Sequence, residues 1–426
     1  MLETIKNAWK IVDLRKKILF TLFIIIIFRI GSVIPAPFIN PDVISESMKS
    51  SENVVFSFLA TLTGGGLQYG AIFAMGVTPY INSSIIMQLL SVAIPYLERL
   101  SREGDEGRKK IAKYTRFVTV ILGLIQGTAF YIYLNNSNML DITGTGAKWF
   151  AGIVIVLTLT AGSALVMWLG EQIDEKGIGN GISVLLFAGI LSRVPEAVVL
   201  LVSWWSYSWI GTIAVVLVFL LVIAFIVWMS NAERRLPVQY AKRVVGRKMY
   251  GGQNSHIPIK VNMSGVMPII FASSILMIPT MILSFKSDKT STFAKILELF
   301  STQGVFYAVL YFAMIIAFAY FYVTIQYNPV EMANNLRKNS GSIPGIRPGQ
   351  PTSDFIQKVL SRVTLIGALC LSVIAVGPIF LSFTSEIFKN ISVGGTSVLI
   401  VVGVALEMVN NLESQMMMRH YKGFLD

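Results

Sequence analysis

Charge is scarce in this sequence. Of its 426 residues only 14% are Asp, Glu, Lys or Arg, while 54% are hydrophobic; a soluble domain carries about a quarter charged residues. Folded in water, a chain with a mean hydropathy of +0.67 would leave apolar surface with nothing to cover it, so lipid is the solvent to expect. Cysteine is nearly absent. Cys370, inside an apolar run, is the single one, which excludes an intrachain disulfide. The two histidines, His256 and His420, stand far apart in polar segments, so neither a structural nor a catalytic zinc site is expected. No Gly-Lys dipeptide occurs, which removes the Walker A phosphate loop and ATP hydrolysis by that route. No cofactor and no metal are expected.

What the chain has instead is long apolar runs. A transmembrane helix needs roughly 20 mainly apolar residues to cross about 30 Å of hydrocarbon. Ten candidates meet or approach that: Ile18–Ile34, Ala71–Tyr96, Phe117–Leu134, Phe150–Leu169, Ile182–Val202, Ile210–Met229, Val266–Phe285, Val305–Ile325, Val363–Phe383 and Thr396–Val409. The fifth is interrupted by Arg193, Pro195 and Glu196, and the tenth is short before Asn410. The basic stretch Met1–Lys17 runs into the first span with no small-residue cleavage site, the pattern of a retained span and not of a removable signal peptide.

The net charge of +12 fits either a nucleic-acid binder or a membrane protein with basic cytoplasmic loops. Its distribution decides between them. With ten spans, 27 Lys and Arg fall on the side of the N-terminus and seven on the opposite side, while Arg29 lies within a span. The positive-inside rule then puts both termini in the cytoplasm, and dropping any span would scramble the asymmetry. Sequence-specific nucleic-acid binding loses its motive. The reading divides the chain into a cytoplasmic N-terminus (1–17), an N-terminal half (18–202), a C-terminal half (203–412) and a cytoplasmic tail (413–426). Two cytoplasmic loops, 231–263 and 326–357, are unusually long and rich in Arg, Lys, Gly and Pro. Loops of that length are often functional, and topology anchoring is the plainer account. Ile343-Pro344-Gly345-Ile346-Arg347-Pro348-Gly349 fixes several backbone angles around one arginine, which suits a presented contact residue.

The spans carry an internal repeat. Gly76-Val77-Thr78-Pro79-Tyr80-Ile81, then Asn82-Ser83-Ser84-Ile85, matches Gly265-Val266-Met267-Pro268-Ile269-Ile270, then Phe271-Ala272-Ser273-Ser274-Ile275, with a one-residue offset. Chance similarity between apolar helices is the competing account of so short a match. The two copies fall at span two of each set of five and enter the membrane from opposite sides, as inverted repeats around a pathway do. Acidic residues are missing from spans one to four and six to nine. Ion-coupled transporters keep such groups in the membrane, so a passive conduit fits better than a secondary transporter, the runner-up. Before span two, Val54–Thr63 is apolar but too short to cross, and it ends at Gly64-Gly65-Gly66. It reads as a re-entrant element or as a surface-lying helix.

Several motifs in one order resemble the SecY family, the central subunits of protein-conducting channels. They are Trp168-Leu169-Gly170-Glu171-Gln172-Ile173, Gly177-Ile178-Gly179-Asn180-Gly181-Ile182-Ser183, Tyr240-Ala241-Lys242-Arg243, Lys260-Val261-Asn262-Met263, Asn328-Pro329 with Asn335-Leu336, Pro344–Gly349, and Gly394-Gly395-Thr396-Ser397. The resemblance covers essentially the whole chain. It implies an all-α polytopic membrane protein, ten transmembrane helices in two inverted five-helix halves, forming a clamshell with a central pore, a plug helix and a lateral gate.

By the same resemblance the pore ring falls on Val77, Ile81, Ile182, Leu186, Ile270 and Ile400. Val77 and Ile81 stand one helical turn apart, as do Ile182 and Leu186, and branched apolar groups make a dewettable seal. The plug covers 54–66, with Val54, Phe56, Phe58, Leu59 and Leu62 as its apolar face and Gly64, Gly65 and Gly66 as its hinge. Asn82, Gln88, Ser274 and Ile278 match the lateral gate, between spans two and three and spans seven and eight. Arg243 and Arg347 match loop arginines that contact the SecA motor or the ribosome. The implied partners are SecE as an obligate subunit, SecG, the SecA ATPase, the ribosome, signal peptides, translocating polypeptides and membrane lipids. The implied activity is a channel in the inner membrane that passes unfolded secretory proteins and releases hydrophobic helices sideways, and not an enzyme.

Overall fold

The computed structural model describes residues 6, 8–44, 60, 63–136, 139–140, 144–205, 209–240, 243–245, 248–250, 254–285, 304–384 and 394–420. They are mainly helical, and their packing forms two compact units.

The first unit comprises Met1–Val215, Met277–Thr302 and Ile400–Asp426. It opens with α1 (Val12–Gly31), followed by α2 (Thr78–Ala93), α3 (Pro95–Arg102), α4 (Asp105–Asn136), α5 (Thr145–Lys176), α6 (Gly181–Leu191) and α7 (Val194–Trp205). Ile155 and Leu159 of α5 are fully buried against Phe130 and Leu134 of α4. Glycine lets those two helices approach. A Cβ at Gly123 would stand 3.1 Å from Ser163 Oγ, and one at Gly127 would stand 3.5 Å from the Val156 carbonyl. This is the small-xxx-small packing that membrane helices use where apolar bulk gives no advantage over lipid.

The second unit comprises Val216–Leu276 and Gln303–Leu399. Helix α8 (Trp209–Asn231) leads into it, α10 (Val305–Gln326), α11 (Pro329–Lys338) and α12 (Gln350–Thr384) lie within it, and α9 (Met267–Phe285) and α13 (Gly394–His420) begin in it and pass to the first unit at Met277 and Ile400. Phe271 of α9 packs edge-on to Phe318 of α10, with ring centroids 5.9 Å apart. The two long loops depart from the all-α expectation, because they form strands. β1 (Glu233–Tyr240) pairs antiparallel with β4 (Asn254–Lys260) on one edge and with β5 (Gly341–Ser342) on the other. Between them β2 (Arg243–Val245) pairs with β3 (Lys248–Tyr250). Alternation explains the sheet: Leu236 and Val238 turn inward along β1 and meet Ile259, Leu336, Ile343 and Ile356, the period-2 signature of a strand with one buried face.

Seven helical stretches among the described residues are long and apolar enough to cross a bilayer: Asp105–Asn136, Gly146–Lys176, Gly181–Trp205, Trp209–Asn231, Val305–Lys338, Gln350–Phe380 and Thr396–Met417. Predicted spans one and seven are α1 and α9, helices of 20 and 19 residues. Predicted span two is not one straight helix. Ala71 bridges to Pro35, residues 72–77 form turns, α2 begins at Thr78, and α2 and α3 meet at an angle of 105°. Pro95 causes the break, since its missing N–H and its ring end the helix before it. Span five also breaks, between α6 and α7 at Ser192 and Arg193.

Candidate functional site

The repeat is a real structural feature of each helix start. Gly76 and Gly265 both adopt positive φ, 52° and 60°, a backbone state that costs other residues about 1–2 kcal/mol. One residue then intervenes, and α2 and α9 begin at Thr78 and Met267, each with proline as its second residue. Proline suits the first turn, where its missing N–H has no partner to lose. Ile81 and Ile270 are both the fourth residue of their helix. Ile81 N donates to Val77 O at 3.0 Å, and Ile270 N to Val266 O at 3.3 Å.

Val77, Ile81, Ile182, Leu186 and Ile400 belong to the first unit and Ile270 to the second. Val77, Ile81, Leu186 and Ile400 are buried, and Ile182 and Ile270 are half-buried. The start of α6, which carries Ile182 and Leu186, is fixed by polar contacts. Asn180 caps it by accepting from Ser183 N at 3.1 Å, and Asp174 of α5 accepts from Gly181 N at 2.7 Å. Gly170 and Gly181 let the two chain segments touch: a Cβ at Gly181 would strike the Gly170 carbonyl, and one at Gly170 would meet Ile182 Cδ1 at 2.6 Å.

Val54, Phe56, Phe58, Leu59 and Leu62 lie outside the described residues. The glycines expected to form their hinge, Gly64, Gly65 and Gly66, lie within them. Gly64 and Gly65 take φ of +65° and +87°, and Gly65 N donates back to Ala60 O at 2.7 Å. That six-residue closure through a left-handed glycine is the geometry that stops a helix. Gly66 does not have positive φ; its carbonyl accepts from Ala71 N at 2.9 Å. These three glycines are buried against the end of α1. Phe28 and Phe73 stack with centroids 6.1 Å apart, and a Cβ on Gly31 would enter the Phe73 ring.

Of the residues expected at the gate, Asn82 and Gln88 are half-buried on α2 and Ser274 is half-buried on α9. Ile278 lies farther along α9, described by its backbone. Two polar residues to which the sequence assigns no site role make contacts between distant segments. Ser83 Oγ donates to Thr115 O at 2.7 Å and ties α2 to α4 in a buried setting. Arg29 Nη1 donates to Gly64 O at 3.0 Å. The loop arginines differ in setting. Arg243 begins β2, opposite Tyr250. Arg347 is exposed on the turn before α12, and its carbonyl accepts from Thr352 Oγ1 at 2.8 Å. Buried Ile343 and half-buried Ile346 anchor that turn in the sheet's core. Gly345 and Gly349 bend it with φ of 81° and 108°.

The family model described as SecY matches residues 71–409. The protein translocase subunit SecY of Streptomyces galbus is 42% identical over the full length of both chains. That of Mycobacterium tuberculosis is also 42% identical over full length, and that of Halalkalibacterium halodurans 41%. Among solved structures, a protein-conducting channel is similar with a TM-score of 0.68 at 17% identity, covering 94% of this chain and 92% of that one. Sec61 in the canine ribosome–channel complex is similar with a TM-score of 0.63 at 15% identity, with the same coverage.

Proposed function

The chain belongs to the SecY family, and we propose that it forms the conduit through which unfolded secretory proteins cross the membrane and from which hydrophobic helices pass sideways into lipid. It is a multi-pass membrane protein and a channel subunit, not an enzyme. The observation that carries this reading is 42% identity to a SecY translocase subunit over the full length of both chains, joined to a repeat whose two copies start their helices in the same way.

In this reading ten helices cross the inner membrane with both termini cytoplasmic, supported by the 27 to seven distribution of basic residues. Val77, Ile81, Ile182, Leu186, Ile270 and Ile400 form an apolar ring that seals by dewetting and yields to any side chain. Residues 54–66 plug that ring from the far side, and Asn82, Gln88, Ser274 and Ile278 border the exit to lipid. SecE and SecG are the accompanying subunits. α8 buries little of its apolar surface within the chain, which leaves room for helical neighbours as well as lipid. SecA or the ribosome supplies the drive and docks on the loops of Arg243 and Arg347; the Sec61 relative is known from a ribosome–channel complex.

Reconstitution tests this. Vesicles carrying the chain with SecE, given SecA and ATP, should protect a signal-bearing precursor from external protease. Vesicles without the chain should not. Equal protection in both would refute the conduit.

A further inference from the structure

Arg29 is the cation that the charge asymmetry leaves unexplained, since it belongs to neither face of the membrane. It stands in the last turn of α1, half-buried. A cation is favourable at a helix C-terminus, which gives Arg29 an ordinary role on its own helix. The guanidinium does more than that: it reaches across to the carbonyl of Gly64, 35 residues on, at 3.0 Å. Among the described ion pairs Arg29 has none. An ionisable group at membrane depth is costly and calls for a partner, and the partner here is a neutral backbone oxygen.

That oxygen is a particular one. Gly64 is buried with φ of +65°, and its carbonyl direction follows from the same left-handed turn that closes Gly65 onto Ala60. Ser192 Oγ also lies 3.5 Å from it, but Ser192 gives its hydrogen to Gly189 O at 2.6 Å. Arg29 is therefore the strong donor. The fit leaves no spare room, because a Cβ on Gly64 would collide with Arg29 Nη1 and stand 2.9 Å from Gly189 Cα.

We propose that Arg29 is a latch, a positioning residue that grips the Gly64 carbonyl and holds the plug's hinge in its closed setting. The proposal rests on residues 54–66 being the plug. A backbone acceptor suits the task. The bond is charge-assisted, so it holds the resting state, yet it leaves no buried counter-charge stranded when the hinge turns. Losing a charge-assisted hydrogen bond shifts an equilibrium about 10- to 100-fold.

The test uses the full chain with SecE in planar bilayers, comparing Arg29→Met, Arg29→Lys and deletion of 54–62 for resting ion conductance. Export of a precursor with a defective signal sequence is read in parallel. Arg29→Met should raise the open population by that factor and relax the demand for a good signal, and Arg29→Lys should do so less. Gly64→Ala, with Arg29 intact, should leak in the same way. In the chain lacking 54–62, Arg29→Met should add nothing. Wild-type conductance from an assembled Arg29→Met chain, beside a leaking deletion, overturns the latch and spares the plug. An unchanged deletion removes the plug reading and the latch with it. Failure of Arg29→Met to assemble even without 54–62 makes Arg29 a residue of the fold alone, which also overturns the proposal.

Discussion

The two copies of the repeat begin alike and then diverge. Gly76 and Gly265 turn the chain with nearly the same positive φ, proline follows at the second helical residue, and isoleucine occupies the fourth. Around the turns the copies differ. Gly76 is crowded, with Thr63 Cγ2 3.0 Å from where its Cβ would stand, whereas Gly265 faces open space. Ser83 of the first copy reaches across to Thr115 O on α4. Ser273 of the second bonds back to Ile270 O on its own helix at 2.9 Å. The one-residue offset accounts for this, because one residue rotates a helical side chain by about 100°. A repeat thus preserves how a helix starts, while its neighbours decide what its side chains do.

Three paired substitutions bear on that comparison. The largest effect is expected at the shared isoleucines. Ile81→Asn and Ile270→Asn each put a hydrated amide into the proposed ring, which then no longer dewets. Both should raise resting conductance several-fold in planar bilayers. A leak from one and none from the other would break their equivalence in function.

The glycines come next. Gly265→Ala meets only backbone strain, about 1–2 kcal/mol. Gly76→Ala adds crowding against Thr63, and overpacking costs roughly 1–3 kcal/mol more. Thermal unfolding in detergent should rank Gly76→Ala below Gly265→Ala, and both below the unaltered chain. Equal midpoints for the two variants would remove the difference in packing between the copies.

The serines should show the smallest effect. Ser83→Ala loses a buried bond between helices, worth about 0.5–1.5 kcal/mol. Thr115 O keeps the bond it accepts from Thr119 Oγ1 at 2.7 Å, so no acceptor is orphaned. Ser273→Ala loses only a bond to its own helix, of the kind that competes with helical order, and should unfold with the unaltered chain. A larger loss at Ser273 than at Ser83 would reverse the account of the offset.

Much of this was legible in the sequence where the physics is local. The Gly-Val-x-Pro motif is legible as a repeat, and its two copies begin α2 and α9 alike, although α2 starts at Thr78 and not at the expected Ala71. The interruption at Arg193 marks a break that the helices respect. Pro95 lies inside the predicted span Ala71–Tyr96, and a proline there ends a helix. The sheet of the long loops was missed for a different reason. Glu233, Arg234 and Arg235 open β1 and give it the look of a charged anchor, while its inward pair, Leu236 and Val238, is too short a pattern to stand out. Contacts that join distant segments left no trace at all. Arg29 could be noticed as a charge out of place, but its partner is a main-chain oxygen, and a backbone carbonyl has no residue type by which to be recognised.

The gate gives the most direct test of the claim that this chain is a translocating channel and not another kind of conduit. Asn82 lies one residue past Ile81, and Ile278 lies eight residues, a little over two turns, beyond Ile270 on α9. With Cys370 replaced, Asn82→Cys and Ile278→Cys are oxidised together, a bond that needs Cα atoms within about 7 Å. The account predicts that the disulfide forms, that it stops both secretion and helix insertion, that reductant restores them, and that a long flexible cross-linker at the same pair permits transport. A disulfide that forms while secretion and insertion both continue would contradict it.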